Sequence, residues 1–293
     1  MPRISKTRTV NFPNANIRNK NQIFPKMPPE AYLPALPFIC LSIGSSGAGK
    51  TTTALNLLKR YQDNNAFDRI TLFSPTGVPD EKTGIAADSR YLNPDYRIED
   101  YLPEYSDDLL EEVIDQQREK IAEYHEHLKV KKLWESYLES GDEMDAMKLQ
   151  QLMDEGTALP PECEMERYPS SLVIMDDLGD DINVKLTGKS KLNNFVCRIR
   201  HALFSYLGNY QSMTQASRTM RKQCNLWVIF KTADEKNLRN MYQECCSGDM
   251  NFKTFLEMFK QLENKHDFVM IDMKAPPSKK YRINFNTFVT PED

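Results

Sequence analysis

The sequence predicts an α/β fold, a mostly parallel central sheet flanked by helices, and three observations carry that prediction. A buried strand-forming run, Phe38–Ile43, leads through a glycine-rich turn into a helical run at Lys50–Asn64. A second short apolar run, Arg69–Phe73, follows and is stopped by Ser74-Pro75, which completes a strand–helix–strand unit. Further short runs dominated by apolar and aromatic residues, Ser171–Met175, Phe204–Tyr210 and Leu226–Phe230, recur with helical or polar segments between them. Runs of that length without polar alternation suit strands covered on both faces.

The 293 residues are enough for one large domain or two small ones. A hydrophobic share of 40% and a charged share of 27% fit an ordinary water-soluble chain with a sizeable core. No run approaches eighteen apolar residues, so no membrane span is expected. Arg3, Lys6 and Arg8 have no apolar stretch behind them, which argues against a secretory signal. None of the six cysteines forms a CxxC pair, and a reducing compartment is the simplest reading. Cys40 and Cys197 read as core residues. His125-x-His127 and Cys197-x-x-x-His201 lack the second pair that a structural zinc site needs. The net charge of −4 is unevenly spread. Residues 1–29 hold six bases and no acid, whereas residues 99–126 hold eleven acids and only Arg118 and Lys120 as bases. A second basic zone comprises Lys185, Lys189, Lys191, Arg198, Arg200, Arg218, Arg221 and Lys222. Such a distribution permits nucleic-acid contact at a patch rather than over the whole surface.

In chain order, residues 1–36 are rich in Asn, Pro and basic side chains and read as an irregular basic N-terminal arm. Residues 37–265 hold the core. Residues 77–104 carry Pro79, Gly84, Pro94 and Pro103 and read as loop. Ser106 is a good N-cap, with Asp107 and Asp108 where the helix dipole favours acids. Apolar residues at 109, 113, 121, 124 and 128, then 130, 134, 137 and 138, give helical spacing up to Gly141. Asp142 restarts a shorter helix, and Gly156–Pro161 closes it. The α/β pattern is thus interrupted by a charged helical insertion at about 80–165. It reads as a solvated helical lobe or a surface for a partner helix. After Ser171–Met175, a helix is expected from about Ser190 to Leu203. A polar loop with Arg218 and Arg221 precedes Leu226–Phe230, and helices follow at Ala233–Cys246 and Asn251–Leu262. Residues 266–293 form a C-terminal β-hairpin extension, Phe268–Met273 against Tyr281–Phe285.

The chemistry concentrates in Gly44-Ser45-Ser46-Gly47-Ala48-Gly49-Lys50-Thr51-Thr52, which fits the pattern G-x-x-x-x-G-K-[ST] at every fixed position. By chance the pattern occurs in a chain of this length on the order of once in a hundred. The glycines let backbone N–H groups turn inward around a polyphosphate, and the following helix aims its positive end at the same anion. Lys50 would reach the β- and γ-phosphates, and Thr51 would ligate Mg²⁺. Asp176 and Asp177 end a buried strand, on the side where ligands of open parallel sheets sit. Asp176 is expected at the Mg²⁺ shell and Asp177 beside an attacking water. Gln211, at the next strand's end, can sense the γ-phosphate. Arg221, with Arg218 as its rival, can act as an arginine finger in a neighbouring subunit. No base-reading Asn-Lys-x-Asp motif of GTPases is present, so ATP is the expected nucleotide.

Together these residues resemble the genome-packaging ATPases of double-stranded DNA viruses, in the poxvirus-like packaging branch of the FtsK–HerA superfamily, whose relatives occur in giant viruses, virophages and polinton-like elements. The matching pieces are Gly44–Thr52, Phe73-Ser-Pro-Thr76, Ile174-Met-Asp-Asp-Leu178, Arg200-His201, Gln211, and Arg221…Asn225 leading to Val228-Ile-Phe-Lys231. They span roughly residues 36–246. The loop after Gln211 departs from the family in lacking a proline before the arginine. The resemblance implies a P-loop NTPase with a RecA-like core, ATP and Mg²⁺ as cofactors, and a homo-oligomeric ring. The ring would thread duplex DNA into a preformed capsid, with capsid proteins as partners. The resemblance also implies Lys50, Asp177, Gln211 and Arg221 in catalytic roles, and a location in the virion or at a viral assembly site in the host cytoplasm. A nucleotide phosphotransferase and an ATP-binding capsid scaffold are the competing readings.

Overall fold

A computed structural model of the chain describes residues 33–76, 98–157, 167–178 and 190–291. The basic arm up to residue 32, Lys185, Lys189 and Cys163, together with much of 77–104 and the ends of the insertion, lie outside the described residues.

The apolar runs become strands: β1 (Ile39–Ile43), β2 (Arg69–Phe73), β3 (Asp100–Leu102), β4 (Ser171–Met175), β5 (Phe204–Tyr210), β6 (Leu226–Phe230), β7 (Phe268–Asp272), β8 (Tyr281–Ile283) and β9 (Thr287–Val289). They form one sheet in the order β3-β2-β4-β5-β1-β6-β7-β8-β9. The first six strands in that order run parallel, and β7, β8 and β9 join antiparallel. The architecture is α/β and mostly parallel.

Parallel strands need cover on both faces, and successive side chains of a strand point to opposite faces. On one face Cys40, Leu72, Ile174 and Val228 pack against Ala54, Leu55 and Leu58 of α1 (Lys50–Asp63). On the other, Leu41, Val173, Tyr206, Trp227 and Ile271 pack against five helices. These are α2 (Asp107–Ser140), α4 (Lys191–Arg198), α5 (Arg218–Gln223), α6 (Glu235–Cys245) and α7 (Phe252–Lys260). The sheet is therefore the middle of three layers.

The insertion is anchored at one end. Ser106 Oγ accepts from Leu109 N (3.1 Å) at the start of α2, and Gly141, at φ 64°, ends it. Leu110 and Val113 of α2 lie in the core. Gln117 donates to Pro169 O (2.9 Å) and accepts from Ser171 Oγ (2.6 Å), which fixes this part of the helix to the start of β4. The far part of α2 and α3 (Glu143–Asp154) expose Leu138, Met144, Met147 and Met153.

Three expectations need correction. The loop expected over 77–104 contains β3, held parallel to β2 by Arg69, whose Nε and Nη2 donate to Asp100 at 2.6 and 2.8 Å. The polar loop after Gln211 holds α5, capped by Ser217, so Arg218 and Arg221 sit on a helix. Cys197 is exposed, because Leu192, Phe195, Val196 and Ile199 define the inner side of α4 and position 197 falls outside that stripe. The C-terminal segment is continuous with the sheet, β7 pairing with β6 along its whole length.

Candidate functional site

Six parallel strands end along one edge, and the predicted residues meet there. The loop after β1 turns at Gly47 (φ 71°) and Gly49 (φ 104°), a backbone region that side chains rarely tolerate. Gly44 is held for a different reason: a Cβ there would lie 2.7 Å from Phe230 Cβ, so only glycine lets the loop pass the end of β6. Gly49 is the N-cap of α1 and offers no side-chain acceptor. The starts of α2, α3, α4, α6 and α7 are all capped by a side chain. The first-turn N–H groups of α1 therefore face the loop, ready for an anion.

Lys50 Nζ donates to Gly44 O (2.8 Å) and Ser45 O (3.1 Å) and so lies over its own loop. Burial pulls its ammonium below the ordinary lysine value, while the nearby carboxylates of Asp176 and Asp177 oppose that shift. Across the sheet edge, Thr51 Oγ1 donates to Asp176 Oδ2 (2.7 Å). Asp176 is 3% exposed, and Asn209 Nδ2 holds its other oxygen at 2.8 Å. Asp177 adopts a left-handed conformation (φ 59°), which turns its exposed carboxylate away from the buried strand direction. Gln211 Nε2 lies 3.5 Å from Asp177 Oδ1, and Gln211 N donates to Gln215 Oε1 (2.7 Å).

These groups border a cavity of about 930 Å³. Of the predicted residues, Ser46, Gly47, Gly49, Lys50, Thr51, Thr52, Asp176, Asp177 and Gln211 line it. Gly44, Ser45 and Ala48 shape the loop without lining the cavity; Ala48 O lies 3.1 Å from His266 Nδ1. Arg221 is not in the lining. Its Nε bridges Glu244 (2.8 and 3.0 Å), and Nη1 donates to Ala216 O (2.6 Å). Arg218 is exposed on the same helix.

The Thr51 hydroxyl and Asp176 carboxylate, adjacent and both hard oxygen donors, fit Mg²⁺. Sequence reasoning missed Asn209, Asn56, His266 and Phe285, and named Thr76 only within the matching Phe73-Ser-Pro-Thr76 run, with no role in the site. Asn209 left a signal: an amide in a strand buried on both faces needs a partner, and Asp176 is that partner. Thr76, at the end of the Phe73-Ser-Pro-Thr run, lines the cavity beside the acid pair and hydrogen-bonds the buried Ser74.

No family model and no curated protein matches this sequence. Among solved structures, it is similar to the genome packaging NTPase B204 from Sulfolobus turreted icosahedral virus 2 in complex with AMP. That likeness has a TM-score of 0.50 and 13% identity, covering 84% of this chain and 96% of that one. Fainter similarities are to the pCW3 conjugation coupling protein TcpA (TM-score 0.46, 14% identity, 88% of this chain and 61% of that one) and to ATPases 2 and 3 of EssC from Geobacillus thermodenitrificans (TM-score 0.47, 11% identity, 88% and 40%). At 13% identity the B204 likeness establishes a shared fold.

Proposed function

We propose that this chain is an ATPase that assembles into a homo-oligomeric ring and drives duplex DNA into a viral capsid. The carrying observation is the junction of Lys50, Thr51 and Asp176 with the Asp177–Gln211 pair on one sheet edge. The shared fold with a protein described as a genome packaging NTPase, crystallised with AMP, supports the same reading.

In the reaction, the loop N–H groups and Lys50 hold the β- and γ-phosphates. Asp177 accepts the proton of the attacking water, and Gln211, beside it, orients that water towards the γ-phosphate. Mg²⁺ held by Thr51 and Asp176 would neutralise charge on the β- and γ-oxygens. The water oxygen bonds to the γ-phosphorus as its bond to the β–γ bridging oxygen breaks; ADP is the leaving group, and the γ-phosphoryl with the water oxygen becomes inorganic phosphate. Arg221 is taken up by Glu244 within its own subunit, so Arg218, exposed on α5, is the better residue to enter a neighbour's site. Arg198, Arg200 and Lys222 are exposed and suited to DNA phosphates, whereas Lys191 is paired with Glu111 and Asp108. A ring needs few phosphate contacts per subunit, so a net acidic chain is compatible with this role.

The test is the ATPase rate of the full chain at low salt with and without linear duplex DNA, alongside its mass in solution. The proposal expects a multimer with DNA-stimulated turnover. A multimer whose turnover ignores DNA contradicts the motor.

A further inference from the structure

The cavity extends well beyond the phosphate chemistry. Part of its wall comes from the C-terminal strands: His266 and Phe268 at the start of β7, and Asn284 and Phe285 in the turn after β8. The register explains how residues so distant in sequence arrive there. Phe268 pairs with Phe230, the last residue of β6, and Val269 pairs with Ile283, the last residue of β8. The antiparallel β7 begins, and β8 ends, on the edge where the parallel strands end. Asp176 follows β4, two places from β1 on one side of the sheet, and β7 lies two places away on the other. At strand spacings of about 4.8 Å these walls stand about 19 Å apart, with the glycine loop between them. An extended nucleoside triphosphate has a comparable length.

The far wall is held firmly. Asn284 Oδ1 accepts from Phe268 N (3.2 Å), its Nδ2 donates to Asp267 Oδ1 (3.2 Å), and its N donates to Phe268 O (2.9 Å). The turn is thus pinned to β7, and Asp267 is occupied by it and by the N–H groups of Glu263 and Asn264. Phe285 is a half-buried aromatic ring, edge-on to Phe268 at 5.1 Å, with the Arg60 guanidinium 5.6 Å from its centroid. Asn56 is exposed on α1, one turn beyond Thr52, and lines the same end. His266 joins the two ends: its Nδ1 lies 3.1 Å from Ala48 O and would sit 3.3 Å from a Cβ at Gly49.

We propose that this end takes the nucleoside of the bound nucleotide, with the base lying on the Phe285 ring and polar contacts from His266 and Asn56. The C-terminal strands, rather than the glycine loop alone, then give the site its preference for a nucleoside triphosphate over bare polyphosphate. This rests on reading Gly44–Thr51 as a triphosphate loop.

The test measures, by calorimetry on the full chain, the Kd of a non-hydrolysable ATP analogue and of inorganic tripolyphosphate, both with Mg²⁺. The variants are Phe285→Ala, the volume-preserving Phe285→Leu, and Lys50→Ala. Both Phe285 variants are expected to weaken the analogue about tenfold, since a base on an aromatic ring is worth roughly that much, and to leave tripolyphosphate within about twofold. Lys50→Ala weakens both ligands. If the Phe285 variants bind the analogue as wild type does while Lys50→Ala has lost it, the nucleoside platform is wrong and the loop assignment stands. If Phe285→Leu weakens both ligands equally, the ring only supports the loop, and the proposal is overturned. If Lys50→Ala binds both ligands normally, the loop assignment falls and takes this inference with it.

Discussion

Replacing Arg221 with alanine separates a structural arginine from a catalytic one. Arg221 reaches both oxygens of Glu244 at 2.8 and 3.0 Å and two backbone carbonyls, Ala216 O at 2.6 Å and Met213 O at 3.4 Å. The pair is only partly open to water, with side-chain exposures of 15% and 30%. Charge-assisted hydrogen bonds contribute about 1.5–3 kcal/mol when buried, and partial exposure lowers that. Losing the clamp leaves Glu244 and Ala216 O to be solvated at a cost of about 2 kcal/mol in total. For a chain of this size that is a fall in Tm of about 3 °C. Arg218→Ala, at an exposed position, is expected to change stability by less than about 0.5 kcal/mol. It should nevertheless lower the turnover of the assembled ring by about 10³ if Arg218 acts in trans. Thermal unfolding by circular dichroism, with ATPase assays on the same samples, reads both effects. A Glu244→Ala, Arg221→Ala double-mutant cycle should return a coupling of about 1 kcal/mol. An Arg221→Ala protein that melts like wild type yet has lost turnover would refute the structural assignment and restore Arg221 as the finger.

Asp176→Asn keeps the shape of the contact with Thr51 and Asn209 but removes the charge that suits a divalent cation. ATP turnover should fall by at least about 10² at saturating Mg²⁺, and wild-type turnover in this variant would exclude Asp176 from the site. Gly44→Ala forces a Cβ to within 2.7 Å of Phe230 Cβ; denaturant unfolding should show a loss of about 1–3 kcal/mol together with weakened nucleotide binding. Burial alone would raise the Asp100 carboxyl, but hydrogen bonds from Arg69 and Thr71 outweigh it and hold the group below its ordinary value. A carboxylate depressed in the folded state contributes stability above its unfolded pKa and loses it as pH falls through the folded one. Wild type should therefore exceed Asp100→Asn by about 1 kcal/mol at neutral pH, and the gap should narrow as the pH falls below the ordinary carboxylate range and through the depressed folded value. A gap unchanged by acid would show that the ion pair is not its source.

Where the chain signals by local pattern, the sequence announced the structure. β2, β4, β5 and β6 fall on the expected residues because each is a short run rich in apolar and aromatic residues that gives way to polar residues. Ser106 and Gly141 marked both ends of a 34-residue helix through capping alone. β3 escaped notice because three residues among prolines carry no periodicity; it is a strand because Asp100 pairs with Arg69 across the edge. That the glycine loop, Asp176, Asp177 and Gln211 would meet at one cavity was legible, because these residues lie in short local motifs at strand ends. The His266 and Phe285 end was not, since its residues reach the loop only through the antiparallel register of β7 and β8. The Arg221 ion pair was not legible for a related reason: its partner, Glu244, lies 23 residues away on another helix. Nothing in the residues flanking either position announces that pairing.

The motor itself is tested most directly by displacement of a third strand from a duplex, with the full chain, ATP and Mg²⁺. A DNA-threading ATPase should strip the third strand from linear duplex in the presence of ATP, and Lys50→Ala should leave it bound. Brisk ATP hydrolysis by wild type with the third strand still in place would contradict translocation.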